Sequence, residues 1–124
     1  MCWNRKKKIE LIGGKQLFSL LDVRDAASGL VALSQTKYSQ WKKIYNLGWH
    51  NKVYSLVEIA ELTKSRLEKR GYSGIDISLQ RKDDIRTYAG MDATSFFQDT
   101  GWTPRYDIED TIDKTIDEYI DSHK

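Results

Sequence analysis

Arg81 and Asp84 carry the clearest chemistry in this chain of 124 residues. A guanidinium offers a fork of donors that matches phosphate oxygens, and a carboxylate close behind it can accept from a ribose hydroxyl. Arg81-x-x-Asp84 therefore suits a nucleotide diphosphate. The cluster of Arg81, Lys82, Asp83, Asp84 and Arg86 also fits a surface ion-pair network, and composition alone favours that reading. On an extended segment Asp83 and Asp84 point to opposite sides, so only one of them can face a shared acid–base site.

Other reactive types are present without a convincing arrangement. Tyr38-Ser39-Gln40-Trp41-Lys42 places a tyrosine four residues before a lysine, the spacing at which an ammonium lowers a phenol pKa for proton transfer on one helix. The segment is polar and turn-like, and in a lysine-rich chain with seven tyrosines one such match is unsurprising. Tyr38 and Trp41 are read as surface or packing residues. His50 and His123 lie far apart with no serine, cysteine or carboxylate partner suggested by spacing, and both are read as bystanders. None of the eight glycines falls at the G-x-G-x-x-G or G-x-x-G-x-x-G spacing of a dinucleotide loop. Gly71-Tyr72-Ser73-Gly74 follows a helix and precedes a strand, the reverse of the required order. Cys2, the single cysteine, has neither a disulfide partner nor metal-ligand neighbours, which excludes zinc chemistry and implies a reducing, cytoplasmic setting.

The elements that must position Arg81 follow from periodicity. Lys8 to Ile12 reads as a strand stopped by Gly13-Gly14, and Phe18 to Val23 as a second extended run. Asp25 is placed to cap a helix through Ala26, Ala27, Leu30, Val31 and Leu33, with Gly29 marking close approach of another backbone. Ile44 to Leu47 reads as a short strand before Gly48. Ser55 and Glu58 form a capping box for a helix carrying Leu56, Ile59, Leu62 and Leu67 and stopped by Gly71. Ile75 to Leu79 alternates apolar Ile75, Ile77 and Leu79 with polar residues, a strand with one buried face that ends just before Arg81. A helix over 92–100 is expected to bury Phe96 and Phe97 before Gly101. A final helix aligns Ile108, Ile112, Ile116 and Ile120 with its acids in water.

At 40% apolar and 31% charged residues the chain has the makeup of a globular domain, with an α/β class, mixed α+β in isolation. No apolar run is long enough to span a bilayer, and no apolar stretch follows the basic cluster near the N-terminus, so neither a membrane span nor a signal peptide is expected. The net charge of +2 hides a basic Arg5 to Lys8 and an acidic stretch from Asp107 to Asp121. The basic run has no aromatic or glycine-rich company, and a solvated strand entry is favoured over nucleic-acid binding.

Five short motifs stand in a particular order: Leu21-Asp22-Val23-Arg24-Asp25-Ala26-Ala27, Tyr45-Asn46-Leu47-Gly48, Ser55-Leu56-Val57-Glu58-Ile59-Ala60, Arg81-Lys82-Asp83-Asp84 and Gly101-Trp102-Thr103-Pro104. That order, over about residues 8 to 121, resembles the C-terminal part of the extended short-chain dehydrogenase/reductases, the NAD-dependent sugar-nucleotide epimerases and dehydratases. The resemblance implies a single partial domain over 1–124, the substrate-side lobe of such a protein without its N-terminal Rossmann part. Arg81, Asp84 and Tyr88 then inherit contacts to the nucleotide half of a nucleotide-sugar substrate, and Gly101 to Tyr106 a packing role. NAD is implied for the full-length parent but for no site in this chain, and the catalytic pair lies upstream of the matching segment. The expected partners are the missing Rossmann portion and further copies of the chain. Two positions depart from the pattern: Phe18 stands where many relatives carry a second diphosphate-binding arginine, and Asp83 stands where they carry glycine. The alternative is a stand-alone remnant acting as a protein-interaction or self-associating module.

Overall fold

The computed structural model describes residues 7–80 and 90–123. In chain order the elements are β1 (Lys8–Ile12), β2 (Leu17–Phe18), α1 (Val23–Ser34), a 3-10 turn (Tyr38–Gln40), β3 (Tyr54–Ser55), α2 (Leu56–Lys69), β4 (Asp76–Gln80), α3 (Thr94–Thr100) and α4 (Ile108–Ser122). They divide into two compact units. The first takes the described residues within Met1–Phe18, Tyr54–Tyr88 and Ile112–Lys124, and the second those within Ser19–Val53 and Ala89–Thr111.

In the first unit β1 and β4 pair in parallel, from Lys8 opposite Asp76 to Ile12 opposite Gln80. Parallel strands need a crossover between them, and α2 supplies its helical part. That helix starts where the sequence placed it: Ser55 Oγ accepts the Glu58 N–H at 3.2 Å, and Glu58 Oε2 accepts the Ser55 N–H at 2.6 Å. It ends at Arg70, with Gly71 at a left-handed φ of 88°. Leu67, Ile75 and Ile116 form the buried cluster, and Ile9, Tyr72, Ile112 and Ile120 pack around it. The isoleucine stripe of α4 thus meets the apolar sides of α2 and the sheet. Two α4 acids are not simply in water as expected. Asp117 and Asp113 accept from the Arg70 guanidinium at 2.7 Å and 3.1 Å, which holds the Asp117 carboxyl below and the Arg70 guanidinium above their ordinary ranges. Leu79 is exposed and Ile77 only half-buried, and the buried Ile75 lies just before β4, so the strand has no fully buried face.

The second unit corrects several expectations. Helix α1 begins three residues earlier than read, because Asp22 is its cap and accepts the Arg24 N–H at 2.8 Å. Asp25 lies inside the first turn instead, and the extended run gives way to helix at Val23. Ile44 to Leu47 forms no strand: Ile44 is exposed, while Tyr45 packs on Phe96 and Leu47 lies against Gly29. Gly29 accommodates side chains rather than a backbone: a Cβ there would lie 2.7 Å from Leu47 Cδ1 and 3.3 Å from Trp102 Cε2. In α3 only Phe96 is buried, while Phe97 is 51% exposed. Phe96 packs edge-on between Tyr45 and Trp102, with both ring centroids at 5.4 Å. Gly101 ends α3 at a φ of 72°, as the sequence required.

Candidate functional site

The parallel pair of the first unit ends at Ile12 and Gln80, and ligands of open α/β sheets gather outside the carboxyl ends of their strands. The Gly13 N–H donates to Gln80 O at 2.7 Å, fixing the last residue before Arg81. Gln16 folds back on the same turn: its Nε2 donates to Ile12 O at 2.8 Å and its Oε1 accepts the Gly14 N–H at 2.6 Å. The Val57 N–H donates to Gly14 O at 3.1 Å, and the Leu56 N–H to Gln16 O at 3.0 Å. Gly14 has a φ of +134°, and a Cβ on it would sit 2.8 Å from Val57 Cγ2. Only glycine meets both demands, the backbone angle and the space. The β1–β4 edge is thereby tied to the start of α2 around the point where residue 81 follows.

Arg81, Asp84 and Tyr88, with Asp83 and Arg86, lie outside the described residues. Phe18, at the position of the expected second arginine, pairs across β2–β3 with Tyr54. It offers an apolar ring at 40% exposure and no cation.

In the second unit the motif Asp22 to Asp25 is a structural lock. Arg24 grips Asp22 twice, Nε to Oδ1 at 3.0 Å and Nη2 to Oδ2 at 2.8 Å, and its guanidinium carbon lies 3.7 Å from the Tyr106 ring centroid. The Thr111 hydroxyl also donates to Asp22 Oδ2, at 2.9 Å. The Arg24 bonds, joined by Thr111, outweigh burial and hold the Asp22 carboxyl far below the usual carboxylate range. Asp25, 1% exposed, accepts the backbone N–H groups of Arg105 and Tyr106 at 2.9 Å each. Neither carboxylate faces a reacting group.

Tyr38 and Lys42 do not share an α-helix. Tyr38 opens the 3-10 turn and stands exposed against Trp41, whereas Lys42 is paired with the Asp99 carboxylate, which also accepts from the Tyr45 hydroxyl. That pairing draws the Asp99 carboxyl down and the Lys42 ammonium up, the opposite of an ammonium left free to acidify a phenol. His50 does have a carboxylate neighbour. Its Nδ1 lies 3.4 Å from Asp92 Oδ1 and accepts the Ala93 N–H at 3.3 Å. No spacing in the sequence announced this group, since His50 and Asp92 meet only through the fold. His50 lines a shallow cleft of about 350 Å³ with Trp49, Thr94, Phe97, Trp102, Thr103 and Pro104, a mostly apolar surface. His123 stacks on Tyr119 at 4.1 Å. Among the described residues no cluster of histidine, cysteine or carboxylate is fit for a metal, and no helix is long and apolar enough to cross a membrane.

No protein-family model matches the chain. Among curated proteins it is similar to Protein CapI of Staphylococcus aureus, 28% identical over an alignment of 116 residues covering 83% of this chain and 34% of that protein. Among solved structures it is similar to RMD of Pseudomonas aeruginosa complexed with NADPH, at a TM-score of 0.78 and 17% identity, covering 95% of this chain and 37% of that one. The dTDP-glucose 4,6-dehydratase of Bacillus anthracis in complex with NAD matches at a TM-score of 0.72 and 24% identity, over 94% of this chain and 35% of that one. The chain thus spans about a third of the length of the proteins it matches. The resemblance carried by the five motifs holds at the level of the fold: the chain folds like part of the NAD-dependent epimerase/dehydratase enzymes.

Proposed function

We propose that this chain is the substrate-side, C-terminal part of an NAD-dependent sugar-nucleotide epimerase or dehydratase, a single partial domain over 1–124, in which Arg81, Asp84 and Tyr88 orient the nucleotide half of the substrate. The observation that supports it most directly is where β4 ends, at the residue before Arg81 in sequence. Gln80 closes a parallel pair and is held by the Gly13 N–H, at the carboxyl end of strands where α/β ligand sites form. The C-terminal assignment rests on the motif order closing with Gly101 to Pro104. Chemistry in the parent would use NAD bound elsewhere, with this part positioning the substrate. The chain alone is then expected to bind no dinucleotide and to turn nothing over. The outer edges of β1 and β4 carry no further strand among the described residues, which favours self-association of the isolated chain.

Calorimetric titration of the chain with dTDP-glucose and UDP-glucose tests the site. Arg81→Ala should weaken the association about 10- to 100-fold, the worth of a charge-assisted bidentate contact. Equal affinity of the variant and the parent chain would contradict the assignment.

A further inference from the structure

The segment Lys37-Tyr38-Ser39-Gln40-Trp41-Lys42-Lys43-Ile44 is exposed at every residue, yet it is not an ordinary polar loop. Ile44 is 81% exposed, Tyr38 80% and Trp41 39%. Its backbone is pinned in place. The Gln40 N–H donates to Lys37 O at 2.9 Å and the Trp41 N–H to Tyr38 O at 3.0 Å, closing the 3-10 turn. Trp41 Nε1 donates to Thr36 O at 3.0 Å, the Tyr38 ring meets the Trp41 ring edge-on at 5.1 Å, and the Lys42 N–H donates to the Tyr45 hydroxyl at 3.0 Å. The apolar groups are thus held toward water by a fixed turn, which lowers the ordering cost of burying them against something else. Charge around them has one sign. Between Asp25 and Glu58 the chain carries four lysines, no acid and no arginine. Asp99, the carboxylate that reaches the segment, is taken up by Lys42 and the Tyr45 hydroxyl. Lys37 and Lys43 are exposed and form no ion pair among the described residues.

We infer that residues 37–44 form a peripheral contact with an anionic lipid surface. Tryptophan and tyrosine settle at the headgroup level of a bilayer, with an apolar body on one side and a polar tip on the other. Ile44 enters the adjoining apolar boundary, as the apolar face of an interfacial segment does. Lys37 and Lys43 meet the headgroup charge, and each lysine beside an anionic leaflet raises partitioning about fivefold. Three apolar side chains and two lysines make a weak, reversible contact that needs no membrane-crossing helix. A single-stranded nucleic acid fits the same patch less well. The segment lacks the guanidinium forks that grip phosphates, and Ile44, the most exposed of its apolar residues, offers a base no ring to stack on.

Co-sedimentation of the chain with vesicles of phosphatidylglycerol and phosphatidylcholine in equal parts, against vesicles of phosphatidylcholine alone, tests the contact. The chain is expected on the mixed vesicles at low salt, to leave them as salt rises, and to stay off the neutral ones. Ile44→Glu, and independently Lys43→Glu, should each lower partitioning about tenfold or more, while the circular dichroism stays unchanged because both side chains are exposed. Lys69→Glu, the same charge reversal at the exposed end of α2, should leave partitioning near that of the parent chain. No partitioning onto the mixed vesicles would overturn the contact, as would partitioning indifferent to both Ile44→Glu and Lys43→Glu. An equal loss with Lys69→Glu would overturn it in favour of overall charge. Binding of a short oligothymidylate in place of the vesicles, sensitive to Lys43→Glu and indifferent to Ile44→Glu, would overturn the lipid in favour of a nucleic acid.

Discussion

The buried Asp25 carboxylate accepts the backbone N–H of Tyr106 at 2.9 Å across 81 positions of sequence, with its other oxygen on the Arg105 N–H. This bond ties the first turn of α1 to the segment that follows Gly101-Trp102-Thr103-Pro104, while Trp102 Nε1 donates to Ser28 Oγ one turn further on, at 2.8 Å. Two motifs that the sequence presents as separate signatures are one joint. Their shared role is to hold the second unit together.

Asp25→Ala leaves both donors without their acceptor, and each unpaired donor costs about 1–3 kcal/mol where water cannot reach it. Asp25→Asn keeps one acceptor oxygen and should lose roughly half as much. Urea unfolding of the three proteins checks the ranking, with Asp25→Ala the least stable.

Gly14 and Gly90 should tolerate a methyl group worse than Gly71. At Gly14 the φ of +134° and Val57 at 2.8 Å oppose it together, and at Gly90 an added Cβ would sit 2.6 Å from the Asn51 Cα, a backbone atom that cannot swing aside. Gly71→Ala meets no atom within 4 Å and pays only for its left-handed φ, about 1 kcal/mol. Thermal melts of the three alanine variants should place Gly71→Ala nearest the parent chain.

How much of this was legible in advance depends on how local each signal is. The Ser55–Glu58 box, the Gly71 and Gly101 stops and the α4 isoleucine stripe are set within one or two helical turns, and all appear as read. Asp22 and Asp25 show the limit. Both are acids at the head of the same helix, and which one caps it depends on Arg105, Tyr106 and Thr111, some eighty to ninety positions away. Ile44 to Leu47 looked like a strand because it is short and apolar, yet Leu47 is used to fill the notch at Gly29. The meeting of His50 and Asp92 left no trace in spacing at all. Of the candidate site, the strand that leads to Arg81 and the glycine turn beside it were legible, because alternation and paired glycines are local patterns.

Acid should weaken the fold through Asp22, Asp99 and Asp117. Each has a folded pKa below its ordinary value, through bonds to Arg24, Lys42 and Arg70 respectively. The unfolded-state value is about 3.9. Their contribution is therefore complete above about pH 5 and is lost as pH falls below 4 toward the lower folded values. Asp22→Asn should lower stability at pH 7 and flatten the decline below pH 4, measured by urea unfolding at both ends of that range.

Removing the Ser55 hydroxyl should cost about 1 kcal/mol, the usual value of a capping serine. Ser55→Ala is expected to fray the first turn of α2, and amide hydrogen exchange at Val57 and Glu58 should accelerate while that at Leu67 keeps pace with global unfolding.

The placement of the substrate end at the carboxyl edge of β1 and β4 is tested most directly by amide chemical shifts of the isotope-labelled chain during titration with dTDP-glucose. The expected shifts cluster at 13–16 and 80–88, and Arg81→Ala removes them. Shifts confined to the cleft of Trp49, His50 and Trp102, or none at millimolar ligand, would contradict it.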